Sequence, residues 1–240
     1  MSARPQSAHD ARAMLAFALT SIAFGATLAF VPPPYNGAAL GGTYVVTGTE
    51  PDGKEAPAGL ATILHLGGGR YRMTEEVAGA TYVAACLRAH DVFACGWGAK
   101  GRTKGIAIYE RTSDGMSGTW WEDDEAGVGR ERLVGGAADL SGYFTIAKGE
   151  RPDGSAYTGY VTSDLFAGVY HLAFHSATTA PGHRYGFGLR EGDLLTVGYD
   201  ATSTCGVVTY RILGGGAGLT GRWVDPSRPN GTGTETLTRN

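Results

Sequence analysis

Two glutamates stand in matching settings, Glu131 inside "GRERL" and Glu235 inside "GTETL". Each lies between a glycine and a leucine at alternate positions, so on an extended strand all three share one face. Where Leu133 and Leu237 point into a core, Glu131 and Glu235 follow them. A buried carboxylate without a partner is costly, so it must find a donor or keep its proton. Two readings follow. In one, the glutamate is the polar anchor at the mouth of a ligand pocket, lined by Tyr71, Tyr82 and Trp120 around Glu131, and by Tyr170, Tyr185 and Trp223 around Glu235. In the other it is a structural latch to a tyrosine hydroxyl, an indole N–H or an arginine. The latch needs no ligand and serves both positions equally, which makes it the preferred reading.

The other reactive side chains form no catalytic set. The chain has no G-x-S-x-G elbow, phosphate-binding loop, dinucleotide fingerprint or Cys-x-x-Cys pair. His171 and His175 in "YHLAFHS" share a strand face but lie about 13 Å apart, too far to hold one metal. They face solvent, opposite the apolar Tyr170, Leu172 and Phe174. The acidic run in "WWEDDEAG" lacks the alternating spacing of a calcium loop and reads as a solvated turn. No catalytic residue, metal or cofactor is expected.

The elements that position these residues are written twice. Shifted by about a hundred residues, the chain matches itself in unbroken order. Pro51-Asp52-Gly53 meets Pro152-Asp153-Gly154, Tyr71 meets Tyr170, Tyr82 meets Tyr185, and Asp91 meets Asp193. Gly96 meets Gly198, Gly105 meets Gly206, and "GTWW" meets "GRWV". Within each copy apolar and polar residues alternate with period two, and glycine-rich turns punctuate the runs. Glycine, at 39 of 240 residues, suits many short strands with tight turns. Eight consecutive short strands per copy remove their exposed edges by closing. The expected fold is therefore all-β. It comprises two tandem eight-stranded antiparallel up-and-down β-barrels, over 42–135 and 141–239, behind an N-terminal hydrophobic helix. Two β-sandwiches are the alternative.

The repeat makes two of the cysteines informative. Cys86 and Cys95 lie at equal distances from a turn centred on His90-Asp91, opposite one another on neighbouring strands. They form either a disulfide, which an oxidising compartment allows, or a pair of small core thiols. Cys205 takes the place of Lys104 at a strand start near the surface, free or available to a partner chain.

"GLTGRW", Gly218 to Trp223, together with the eight-strand rhythm, resembles the avidin-like, broadly calycin, barrels. The distributed tryptophans of the avidin biotin pocket have no recognisable counterpart, so biotin is not carried over. The whole repeat also resembles an uncharacterised group of bacterial exported repeat proteins, some labelled fibronectin-binding. That resemblance covers residues 42–239 and implies export, with surface adhesion as a lesser possibility.

Ahead of the repeats lies a polar tail, residues 1–12, and an uncharged apolar run over 13–31. As a helix that run covers about 28 Å, enough to span a bilayer's hydrocarbon core. The run reads as a retained transmembrane anchor in preference to a cleaved signal. Arg4 and Arg12 keep the N-terminus cytoplasmic, and a Pro/Gly linker over 32–41 leads to the exported part. A net charge of −3 without a basic cluster argues against nucleic acid. The expected function is non-enzymatic: a membrane-tethered extracytoplasmic binding or scaffold protein, an accessory subunit with protein partners in a membrane complex. A periplasmic carrier of a small apolar ligand, held inside a barrel, is the alternative.

Overall fold

The computed structural model describes residues 40–99, 103–177 and 183–240; the tail over 1–12, the apolar run over 13–31 and the linker as far as residue 39 lie outside them. Every regular element among the described residues is a β-strand. The first copy supplies β1 (Gly42–Thr49), β2 (Gly59–Gly67), β3 (Arg70–Val77), β4 (Ala80–Ala89), β5 (Val92–Ala99), β6 (Gly105–Thr112), β7 (Gly115–Glu122) and β8 (Gly129–Gly135). The second supplies β9 (Gly142–Glu150), the short β10 (Ala156–Tyr157), β11 (Gly159–Phe166), β12 (Val169–Ser176) and β13 (His183–Glu191). It ends with β14 (Leu194–Asp200), β15 (Gly206–Leu213), β16 (Gly218–Val224) and β17 (Gly233–Arg239).

The strands close into two eight-stranded antiparallel barrels, but neither barrel is one copy of the repeat. Barrel A runs β1-β17-β16-β15-β5-β4-β3-β2. Barrel B runs β9-β11-β12-β13-β14-β6-β7-β8 and closes through β8 and β9, with β10 paired to the far end of β9. Each copy therefore gives its first five barrel strands to one barrel and its last three to the other. This corrects the expected boundaries of one barrel over 42–135 and another over 141–239. Alternation specifies which face of a strand is buried, not which strand lies beside it. The exchange leaves every strand paired and joins the barrels through both crossings. A cysteine pair placed at Glu110 and Leu194, partners in the β6–β14 register, is expected to cross-link efficiently under mild oxidation. Peptide mapping by mass spectrometry reads the bond. If each copy closed on itself, these residues would sit in separate barrels.

Side chains from the outer surfaces of both barrels form a shared apolar layer. Ala85, Leu87 and Ala94 of barrel A meet Ile106, Trp121, Phe187 and Leu189 of barrel B, all buried. At its centre four glycines bring the two sheets to backbone contact. A Cβ on Gly198 would overlap the Gly206 carbonyl oxygen and come within 3.1 Å of the Gly96 Cα; one on Gly96 would overlap the Gly105 carbonyl oxygen.

Glycines elsewhere give aromatic rings a seat. Trp120 lies over Gly129 and Trp223 over Gly233, each across a strand pair, while Trp97 covers Gly206 and Tyr199 covers Gly105. This pairing of ring and missing side chain requires glycine at these four strand positions.

One end of each barrel is sealed by a leucine preceding its first strand, Leu40 in A and Leu140 in B, both buried. Tyr44 donates to the Leu40 carbonyl at 2.8 Å and accepts from Arg239 at 2.8 Å. Cys86 and Cys95 face each other across β4 and β5 and are disulfide-bonded in the interior of barrel A. Cys205 is not near the surface: it is 1% exposed, with its thiol against the Gly105 and Gly206 carbonyls. Burial pushes that thiol's pKa well up, which suppresses thiolate chemistry.

Candidate functional site

The ends opposite the leucine seals are where the duplicated glutamates lie. In barrel B, Glu131 is 7% exposed and accepts hydrogen bonds from Tyr109 and, at 2.8 Å, from Tyr157. Tyr157 in turn accepts from the Trp120 indole at 2.8 Å. Burial raises the Glu131 pKa and the two phenols partly offset the rise. This is the latch, closed with tyrosines. Glu131→Ala leaves two phenols facing an apolar interior and is expected to cost about 2–4 kcal/mol in urea unfolding.

In barrel A the equivalent carboxylate, Glu235, accepts from Tyr210 alone and is only half-buried. Above it opens a cavity of about 160 Å³. Its wall includes Met73, Ala84 and Val208, with Tyr82, Trp97 and Trp223 as the aromatic members. The Tyr82 and Trp97 rings meet edge to face at 5.4 Å. A second carboxylate, Glu75, also lines this cavity, and no side chain among the described residues hydrogen-bonds or ion-pairs with it. Desolvation pushes Glu75 up to about 7. Desolvation and then repulsion from Glu75 push Glu235 up to about 8. Both carboxyls line the same cavity.

The strand exchange redistributes the expected pocket residues. Tyr71 and Tyr82 belong with Glu235 and Trp223 in barrel A, while Tyr170 belongs with Glu131 and Trp120 in barrel B. Tyr71 and Tyr170 pack in the cores away from this cavity and from its counterpart of about 170 Å³ in barrel B; the Tyr170 hydroxyl bonds the Asp139 carbonyl beside the leucine seal. Tyr185 is not inside a barrel at all. It is 39% exposed and shares the outer face of β13 with Phe187 and Leu189. The turns at His90-Asp91 and Gly192-Asp193 set the true equivalence, in which Tyr82 corresponds to Arg184 and Cys86 to Gly188. Matching tyrosine with tyrosine slips the register by one and so reverses the face.

The acidic run is more structural than a solvated turn. Glu122 pairs with Arg184 at 3.1 Å, and Asp123 with the buried Lys104 at 3.2 Å. His171 and His175 point outward as expected, yet both are half-buried, against Phe187 at 5.1 Å and Tyr160 at 4.3 Å between ring centroids.

Glu75 and Trp97 are the site residues that sequence reasoning missed. The signal for Glu75 was available: Tyr71, Met73 and Glu75 alternate inward, where the second copy has Tyr170, Leu172 and Phe174. No protein-family model, curated protein or solved structure matches the chain.

Proposed function

We propose that the protein is a non-enzymatic extracytoplasmic carrier or receptor, with barrel A holding a small ligand and barrel B serving as its structural partner. The observation that carries this reading is the cavity over Glu75 and Glu235, walled by three aromatic rings and holding a carboxylate that no side chain among the described residues satisfies. A cavity of about 160 Å³ is close to the roughly 150 Å³ that admits a benzene-sized guest. The Cys86–Cys95 disulfide supports an oxidising compartment.

The comparison between barrels supplies the test. Tyr157 in β10 lines the barrel B cavity and donates to Glu131 at 2.8 Å; its backbone equivalent is Ala56, whose N–H bonds the Gly48 carbonyl at 3.0 Å. Ala56→Tyr is expected to bring the same phenol onto Glu235, which shares the barrel A cavity with Ala56. Native mass spectrometry of the full chain, purified from its own cell, is expected to find a small molecule on the wild type and none on Ala56→Tyr. A wild type that carries no small molecule would overturn the carrier reading.

The membrane-tethered scaffold is the second reading. It is supported by an outward apolar row on barrel A, Val45, Leu60 and Leu64, which are 39%, 50% and 56% exposed. Its test is a pull-down after gentle detergent extraction, in which recovery of the monomer alone would remove it.

A further inference from the structure

The two barrels are internal controls for one another, and their mouths differ in charge at equivalent positions. Where barrel B has Arg151, barrel A has Glu50; where B has Arg184, A has Tyr82; where B has Phe174, A has Glu75. These three differences make barrel A more electronegative, while Arg228 in place of Glu125 runs the other way. Barrel B supplies its own cations: Arg184 pairs with Glu122, and Arg151 lies over the Tyr157 ring at 5.3 Å. The barrel A cavity is lined by four carboxylates, Glu50, Glu75, Asp225 and Glu235, against the single guanidinium of Arg228.

Arg228 does not neutralise the inner pair. It bonds Glu50 at 2.8 Å and Asp225 at 3.3 Å, with its guanidinium 5.9 Å from the Trp223 ring. The outer two carboxylates are thus paired by the protein, whereas among the described residues Glu235 has only the Tyr210 phenol and Glu75 has no side-chain partner. Two carboxyls that line one cavity ionise together only at a cost, and a cation between them removes it. Tyr82 and Trp97 beside them offer the ring surfaces that favour an organic cation over a hydrated metal ion.

From this geometry we infer that barrel A takes an organic ammonium ligand, its charged nitrogen between Glu75 and Glu235 and its flat apolar body against Tyr82 and Trp97. This inference rests on the carrier reading and narrows its ligand class. The groups facing the inner pair are Tyr210 from β15, Tyr82 from β4, and Glu50, Asp225 and Arg228 at the rim.

The experiment uses the full chain and three probes of one shape: benzylamine, benzyl alcohol and benzoate. Calorimetry and tryptophan fluorescence at pH 8 and low salt read their affinities. Benzylammonium is expected to bind at least about tenfold more tightly than benzyl alcohol, with benzoate weakest. Glu75→Gln is expected to erase that preference while leaving benzyl alcohol binding within about twofold. Glu235→Gln provides the same test should Glu75→Gln not fold, which its thermal melt reports. If benzyl alcohol or benzoate binds as tightly as the amine, the ammonium assignment falls and the carrier reading stands. If none of the three binds, both fall.

Discussion

Gly198→Val is expected to abolish the cooperative unfolding transition, or to lower stability by more than about 4 kcal/mol. The new side chain would enter the space of the Gly206 carbonyl and the Gly96 Cα, and both are backbone belonging to barrel A, whereas Gly198 belongs to barrel B. A flexible neighbour can swing aside, but two closed sheets cannot. Gly96→Val is expected to act alike, through the Gly105 carbonyl. Gly53→Ala is the control. Its Cβ meets nothing within 4 Å, so only its φ of +82° is strained, at a cost of about 1 kcal/mol. Urea unfolding followed by tryptophan fluorescence separates the two outcomes. Equal small losses at Gly53 and Gly198 would mean that the barrels do not touch there.

Glu75→Gln and Glu235→Gln are each expected to raise stability at alkaline pH and do little in acid. Both carboxyls hold their protons more tightly in the folded chain than the ordinary value of 4.5, at about 7 for Glu75 and about 8 for Glu235. Their contribution is complete below about pH 4.5 and is lost as the pH rises through 7 and 8. The full linkage is discounted because solvent reaches both groups through the mouth, leaving about 1–3 kcal/mol per site at pH 8.5. That corresponds to a melting temperature about 3–8 °C above wild type, shrinking to nothing near pH 5. A melting series from pH 5 to 9 measures it. A variant that tracks the wild type across the whole series would show that the carboxyls are not confined together. A bound ammonium should have the same effect on the wild type as removing one charge.

The parts of this fold that were legible in the sequence are those decided locally. Period-two alternation placed the strands, and the His90-Asp91 turn placed Cys86 opposite Cys95 before any coordinates. The glutamates at 131 and 235 were marked by their leucine neighbours, and the tyrosine latch at Glu131 was among the partners expected. The strand exchange was not legible. β5 leads into a short connection whether it turns back on itself or crosses over, and the same inward faces are buried in both cases. Tyr185 was misplaced because the second hairpin carries apolar rows on opposite faces. Leu195 and Val197 point into barrel B, while Phe187 and Leu189 point to the other barrel. A strand buried on both sides lacks the polar face that would have fixed its register. Glu75 escaped notice because it sits beside Glu76, and only the inward alternation distinguishes them.

The seam between β1 and β17 imposes an order on assembly. Tyr44 and Arg239, partners across that seam, are separated by 195 residues. A chain that emerges from its N-terminal end can complete barrel B once β14 has appeared, because every strand of that barrel precedes β15. The opening five strands must wait, with the β1 and β5 flanks unzipped, until the last three arrive. During that interval they are the part of the nascent protein most open to wrong partners, and non-local seams of this kind close slowly. A holding chaperone should therefore matter for barrel A and hardly at all for barrel B.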